Sequence, residues 1–281
     1  MTALLRRALL SCVVAGAVDV ATLRGSTIAM VGDSTMRTQF ERLCGLLNAT
    51  AARTPAKPLV FACAGRNVTV AWMSPKDRGD FGFHKGLEAL GHVEAALGRA
   101  PTAIYANGGL HYLHLLPARD FECFQCWASA EFFLRRFVVE SRRRYAGATL
   151  VFMTGHAICE DRYNRDYARL VDQLRNDPRG YAVSCVRALR PKFPMGMDAE
   201  IRAQCLASTF TRDGVARLNA RLLATLGTLE ADVGVVDGFG LTDGRCDETK
   251  DGRHYPAREL AEIAALVALL APDAAKRRGE G

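Results

Sequence analysis

The 281-residue sequence has no uncharged apolar run approaching the ~18–20 residues that a membrane span requires. It also lacks internal repeats and low-complexity linkers, so nothing divides it into separate units. No second cysteine pair follows Cys123 and Cys126 at metal-ligand spacing, and the intervening Phe124 and Gln125 are unlike a thioredoxin active turn. This weakens the zinc and redox readings of the CxxC pair and favours structural disulfides. Nor is there a lipid-facing stretch of the kind a lipase rim needs.

What is present, 49% hydrophobic and 24% charged residues, excludes a disordered, collagen-like or coiled-coil chain and suits one large α/β domain. The formal net charge of +7 favours anionic surroundings, such as acidic glycans, phosphates or membrane surfaces, without choosing among them. At the start, Arg6 and Arg7 precede an apolar stretch from Ala8 to Val18 that contains the small residues Ala15-Gly16-Ala17, the layout of a cleavable signal peptide. Asp19 stops the run early, and an amphipathic helix packed on the domain is the alternative. Residues 1–24 are therefore expected to be a signal peptide or N-terminal anchor, 25–272 the folded domain and 273–281 a basic tail. Without Cys12, eight of the nine cysteines remain, an even set able to form four bridges in an oxidising compartment. Their connectivity is open. Asn48-Ala49-Thr50 and Asn67-Val68-Thr69 are acceptor patterns for N-glycosylation and agree with secretion.

Apolar, β-branched runs at Ser26 to Val31, Ala103 to Ala106, Thr149 to Thr154 and Val233 to Val236 read as buried parallel strands, with a weaker candidate at Leu59 to Ala62. Helical patterns alternate with them: Met36, Phe40, Leu43 and Leu47 share one face, as do Leu218, Leu222 and Leu226, and a segment from about Ala128 closes on Arg142-Arg143-Arg144. A C-terminal helix is expected from Pro256 to about Leu270, with Leu260, Ile263, Ala264 and Val267 inward. Cys185 to Thr211, with Pro191 and Pro194, reads as an irregular insertion. Alternating strand and helix predict an open, mostly parallel three-layer α/β/α sheet, with ligands beyond the carboxyl ends of the strands.

Those ends carry the chemistry. Gly32-Asp33-Ser34 puts Ser34 at a strand-to-helix turn, where the helix N-terminus can stabilise developing negative charge, although Asp33 or Ser34 could simply cap the helix. Asp251-Gly252-Arg253-His254 places a carboxylate three residues before an imidazole, an offset that suits an oriented base; a solvated loop acid and a capping histidine are the plain alternative. Asn107-Gly108-Gly109 puts an amide side chain where an oxyanion donor is needed, or is an ordinary turn. Arg37 opposes the dipole in the first helical turn, so either Glu41 or Asp33 pairs it or it meets a substrate oxygen. His111 and His156 follow strand ends and could line a pocket or be hydrogen-bonded beneath a loop. Trp72, Trp127 and Tyr112 could stack on sugars or pack in the core.

Together, GDSTMR at Gly32 to Arg37, NGGLH at Asn107 to His111 and DGRHY at Asp251 to Tyr255 resemble the GDSL/SGNH hydrolase superfamily. Within it they resemble the PC-esterase branch of trichome-birefringence-like and sialic acid O-acetyltransferases. The resemblance spans about Ser26 to Leu270. It implies a flavodoxin-like SGNH fold, with Ser34 as nucleophile, His254 as base and Asp251 as its partner. The Ser34 amide, the Asn107 side chain and, by nearest match, Gly65 would be the oxyanion donors, and Arg37, His111 and His156 would be substrate contacts. It further implies a secretory-pathway esterase or O-acetyltransferase acting on a glycan or polysaccharide. An acetyl donor would serve transfer; no metal, cofactor or nucleic acid is needed, and the N-terminal segment could associate with a membrane. A lipase-like small-ester esterase and a catalytically silent glycan-binding protein are the alternatives. The intact Ser34, Asp251 and His254 argue against the second.

Overall fold

The computed structural model describes residues 18–54, 60–73, 83–113, 126–163, 165–190, 198–207, 209–229 and 231–278. The signal-like segment 1–17, Cys123 and the side chains of His111, Cys126 and Trp127 lie outside the described residues. The strands are β1 (Thr27–Val31), β2 (Ala52–Arg53), β3 (Val60–Gly65), β4 (Val68–Met73), β5 (Ala103–Ala106), β6 (Thr149–Met153) and β7 (Val233–Val236). They form one sheet in the order β2-β3-β4-β1-β5-β6-β7. From β4 to β7 every pairing is parallel; β2, β3 and β4 meander antiparallel at one edge.

The helices are α1 (Ser34–Leu46), α2 (Phe83–Leu97), α3 (Cys126–Arg144), α4 (Arg165–Asn176), α5 (Pro178–Leu189), α6 (Asp198–Ala207), α7 (Arg212–Gly227), α8 (Gly238–Thr242) and α9 (Glu259–Arg278). Strand alternation sorts the core into two layers. Ala29, Val31, Ile104, Leu150 and Phe152 face α2, α3 and α7, while Ile28, Met30, Tyr105, Val151 and Met153 face α1 and α9. All five residues of β1 are buried, as a strand covered on both faces must be. The chain leaves β1 through α1 on one face and reaches β5 through α2 on the other, so the carboxyl end of β1 is the switch point of the sheet.

The fold class agrees with the sequence reading, and several local expectations change. The weak strand at Leu59 to Ala62 is β3, running to Gly65, and β4 was not anticipated. The expected irregular segment from Cys185 to Thr211 is largely helical where described: Cys185 sits in α5 and Cys205 in α6, joined by a disulfide. Pro256 does not open the last helix. Arg258 N–H closes a turn onto the Tyr255 carbonyl (2.9 Å), Glu248 grips the Arg258 side chain, and α9 starts at Glu259. Leu260 is exposed, with Leu266 and Leu270 inward instead, and the helix continues through Arg278 into the expected tail. Val20 and Leu23, assigned to the leader by sequence, are buried against the α1–α9 layer. No helix among the described residues is long and apolar enough to cross a membrane.

Candidate active site

Gly32 follows β1, and its backbone lies so close to α1 that a Cβ there would come within 2.6 Å of the Met36 Cβ. Trp72, buried against Phe40 and Phe61, donates its indole N–H to the Gly32 carbonyl at 3.2 Å. Core packing, not sugar stacking, is therefore the role of Trp72; buried Tyr112, whose hydroxyl accepts from the Phe83 N–H, has the same fate. Asp33 caps α1: its Oδ1 accepts from the Thr35 N–H (2.9 Å) and the Thr35 hydroxyl (2.5 Å). Capping by Asp33 leaves Ser34 as the first helical residue, exposed, with a backbone N–H that no carbonyl of its own helix can accept.

Facing Ser34, His254 Nε2 lies 2.7 Å from the Ser34 Oγ, and His254 Nδ1 lies 2.5 Å from Asp251 Oδ2. With Nδ1 protonated and donating to the carboxylate, Nε2 offers a lone pair to the serine hydroxyl. The other carboxylate oxygen builds the turn, accepting from the His254 N–H at 3.0 Å and the Arg253 N–H at 3.2 Å. Partial burial pushes the Asp251 carboxyl upward, but the imidazole and backbone donors outweigh it and hold it well below the usual carboxylate range.

Asn107 sits on the neighbouring strand end, where its N–H bonds to the Val31 carbonyl at 3.0 Å. Its Nδ2 donates to the Thr35 hydroxyl at 3.0 Å, which takes one of two amide hydrogens. Arg37 pairs with Glu41 at 2.8 Å on the solvent side, the plainer of its two expectations.

Gly65 does not join this group. It pairs with Val68, next to the Thr69–Thr27 register point, at the opposite end of β1 from Ser34, which excludes it as an oxyanion donor there. His156 does not line a pocket either. It is 3% exposed beneath the base loop, with Nδ1 donating to the Arg253 carbonyl (3.2 Å) and Nε2 2.6 Å from Glu262 Oε1. The other Glu262 oxygen accepts from Gln39 Nε2 at 2.5 Å. Sequence reasoning overlooked Glu262 and Gln39. The signal was a polar residue on an inward helical stripe, Gln39 beside Met36 and Phe40 and Glu262 beside Ile263 and Leu266.

Burial pulls the His156 imidazole down, but the close Glu262 carboxylate, the Arg253 carbonyl and the Asp33 charge together raise it above its ordinary value. A raised folded-state value contributes stability that is complete below the unfolded histidine value, about 6.5, and is lost as pH rises through the folded value. Melting temperatures of the wild type and Glu262→Gln are therefore expected to differ most in mild acid and to converge with rising pH. A gap that widens toward alkaline pH would contradict this assignment.

The molecule is thus an α/β protein with a serine–histidine–aspartate hydrogen-bond chain at the switch point of its sheet. No family model and no curated protein matches the chain. Among solved structures it is similar to a protein of Parabacteroides merdae assigned as a GDSL-like lipase, at 11% identity and TM-score 0.45, covering 88% of this chain and 97% of that one. It is also similar to LAE5, an α/β hydrolase from the metagenome of Lake Arreo, at 13% identity and TM-score 0.40, covering 88% and 95%.

Proposed function

We propose that this protein is a serine esterase or O-acyltransferase of the GDSL/SGNH type, of the kind its resemblance to the PC-esterase branch implies, acting on acetyl groups of a glycan. The observation that carries the reading is the chain from exposed Ser34 through His254 to Asp251. In the first half-reaction the Ser34 Oγ attacks the acetyl carbonyl carbon and its proton passes to His254 Nε2. The Ser34 N–H and the second Asn107 amide hydrogen are the donors for the oxyanion. Collapse breaks the ester bond, and the departing sugar alkoxide takes the proton from His254. Water or another sugar hydroxyl then attacks acetyl-Ser34, gives its proton to His254, and Ser34 recovers it on release.

Several features support a sugar over a lipid. Arg253 adjoins His254 and is partly exposed, and Arg37, three residues along α1 from Ser34, is exposed although its Nε is held by Glu41; such guanidinium groups suit oxygen-rich substrates. The large exposed apolar side chains among the described residues, Phe132, Val139, Val183, Leu206 and Leu260, belong to α3, α5, α6 and α9 and not to the segments holding Ser34, Asn107 or His254. The secretory reading draws support from disulfides Cys44–Cys63, Cys159–Cys246 and Cys185–Cys205, and from exposed Asn48 and Asn67 in the two glycosylation triplets.

A fluorophosphonate probe is expected to label Ser34 alone, and Ser34→Ala to abolish both labelling and acetate release from an acetylated polysaccharide. Labelling of a different serine, or unchanged turnover by the variant, overturns the proposal. Faster cleavage of long-chain acyl esters than of acetyl-sugars would move the substrate to the lipase-like class.

A further inference from the structure

We propose that the buried His156–Glu262 pair is a positioning dyad that fixes the Arg253 carbonyl and, through it, the approach of His254 to Ser34. The inference rests on the esterase reading and extends it to residues that touch no substrate. Its two members are 3% and 0% exposed, and an ion pair that deep is a poor stabiliser, because desolvating both charges offsets most of their attraction. Its connections are more informative than its energy. Glu262 on α9 also holds Gln39, which lies on the helix that Ser34 opens, while His156 holds the residue before His254. The dyad therefore spans the two elements whose separation sets the Ser34–His254 hydrogen bond.

Proton accounting makes the tie specific. A carbonyl only accepts, so His156 Nδ1 must carry a hydrogen to bond Arg253, while Nε2 meets Glu262 Oε1 as a close ion pair and not as an aligned hydrogen bond. Were that hydrogen lost with Nε2–H retained, the Nδ1 lone pair would face the Arg253 carbonyl and the tie would become a repulsion. The other groups that act on the pair include the Asp33 and Glu259 carboxyls, the edge-on Tyr255 ring at 5.6 Å and the buried Tyr105 hydroxyl, which bonds to Met153 Sδ. None of them is a second donor to Arg253.

Three variants test the assignment, each read by kcat and KM on an acetyl ester, by melting temperature and by the far-downfield proton resonance of His254 Nδ1–H in its bond to Asp251. His156→Phe keeps a ring but removes the donor; kcat should fall roughly a hundredfold with KM unchanged, and the resonance should broaden or vanish. His156→Asn places an amide N–H where Nδ1 was and should recover kcat to within about tenfold of wild type, even with a lower melting temperature. In Glu262→Gln the new amide can accept from Gln39 and donate to Nε2, which preserves Nδ1–H, so kcat should stay within about threefold. A folded His156→Phe chain with normal kcat and resonance overturns the dyad. If that chain fails to fold, a folded Glu262→Gln or His156→Asn protein as inactive as Ser34→Ala does so. A wild-type protein that shows the resonance but labels no serine would instead defeat the esterase reading, and the dyad is then judged on the resonance alone.

Discussion

Asp251→Asn is expected to lower kcat/KM by about four orders of magnitude in a protein that still folds, with a melting temperature lowered at neutral pH by loss of the carboxylate charge. The turn itself dictates the outcome. Asp251 Oδ1 accepts two backbone N–H groups, so the amide oxygen of an asparagine must take that place. Its NH2 is then left against His254 Nδ1. An N–H pointed at Nδ1 forces the imidazole hydrogen onto Nε2, and a protonated Nε2 cannot accept the Ser34 proton. In the wild type the depressed Asp251 carboxyl keeps its charge, and its stabilising effect, above the usual carboxylate range and loses them only as pH falls through the lowered folded value. Steady-state kinetics and thermal melts of the two proteins check this; near-normal turnover in Asp251→Asn would reduce the pair to a loop acid and a neighbouring histidine.

The central strands were legible because burial on both faces demands continuous apolar runs, and β1, β5, β6 and β7 have them. Strand β4 escaped although Val68–Met73 is rich in strand formers. Its hairpin turns on Arg66 and Asn67, both at positive φ (51° and 60°), in place of the Asn-Gly pair that advertises such a turn. The same omission placed Gly65 at the wrong end of the sheet, since an unseen antiparallel partner reverses which end of β3 meets the site. The Asp251–His254 spacing could be read locally, three residues apart. Glu262 lies 106 positions from His156, and their meeting follows only from how α9 crosses the end of β6.

Gly252→Ala is expected to lower stability by roughly 2–4 kcal/mol and to remove most activity. Gly252 has φ of +80°, and a Cβ there would lie 2.5 Å from the Cys159 carbonyl oxygen and 3.0 Å from the Tyr163 ring. The backbone must move, which breaks the 2.8 Å bond from the Cys159 N–H to the Gly252 carbonyl and shifts His254 two residues on. Gly244 is the control: its φ is +73°, yet nothing lies within 4 Å of its Cβ position. Gly244→Ala should therefore cost only the backbone strain, about 1–2 kcal/mol, and keep full activity. Equal losses in denaturant titrations of the two variants would show that conformation, and not the collision at Cys159, dominates.

The bridge between Cys159 and Cys246, 87 positions apart, joins the segment after β6 to the segment just before Asp251. It turns everything between, from α4 through β7 and α8, into a closed covalent ring hung from a clasp beside the base. A single nick anywhere in that ring leaves Ser34 and His254 on one connected molecule. An insertion among α4 to α6 enlarges the ring without moving the clasp, so the length of that excursion can change while the reacting groups stay on a frame of fixed size.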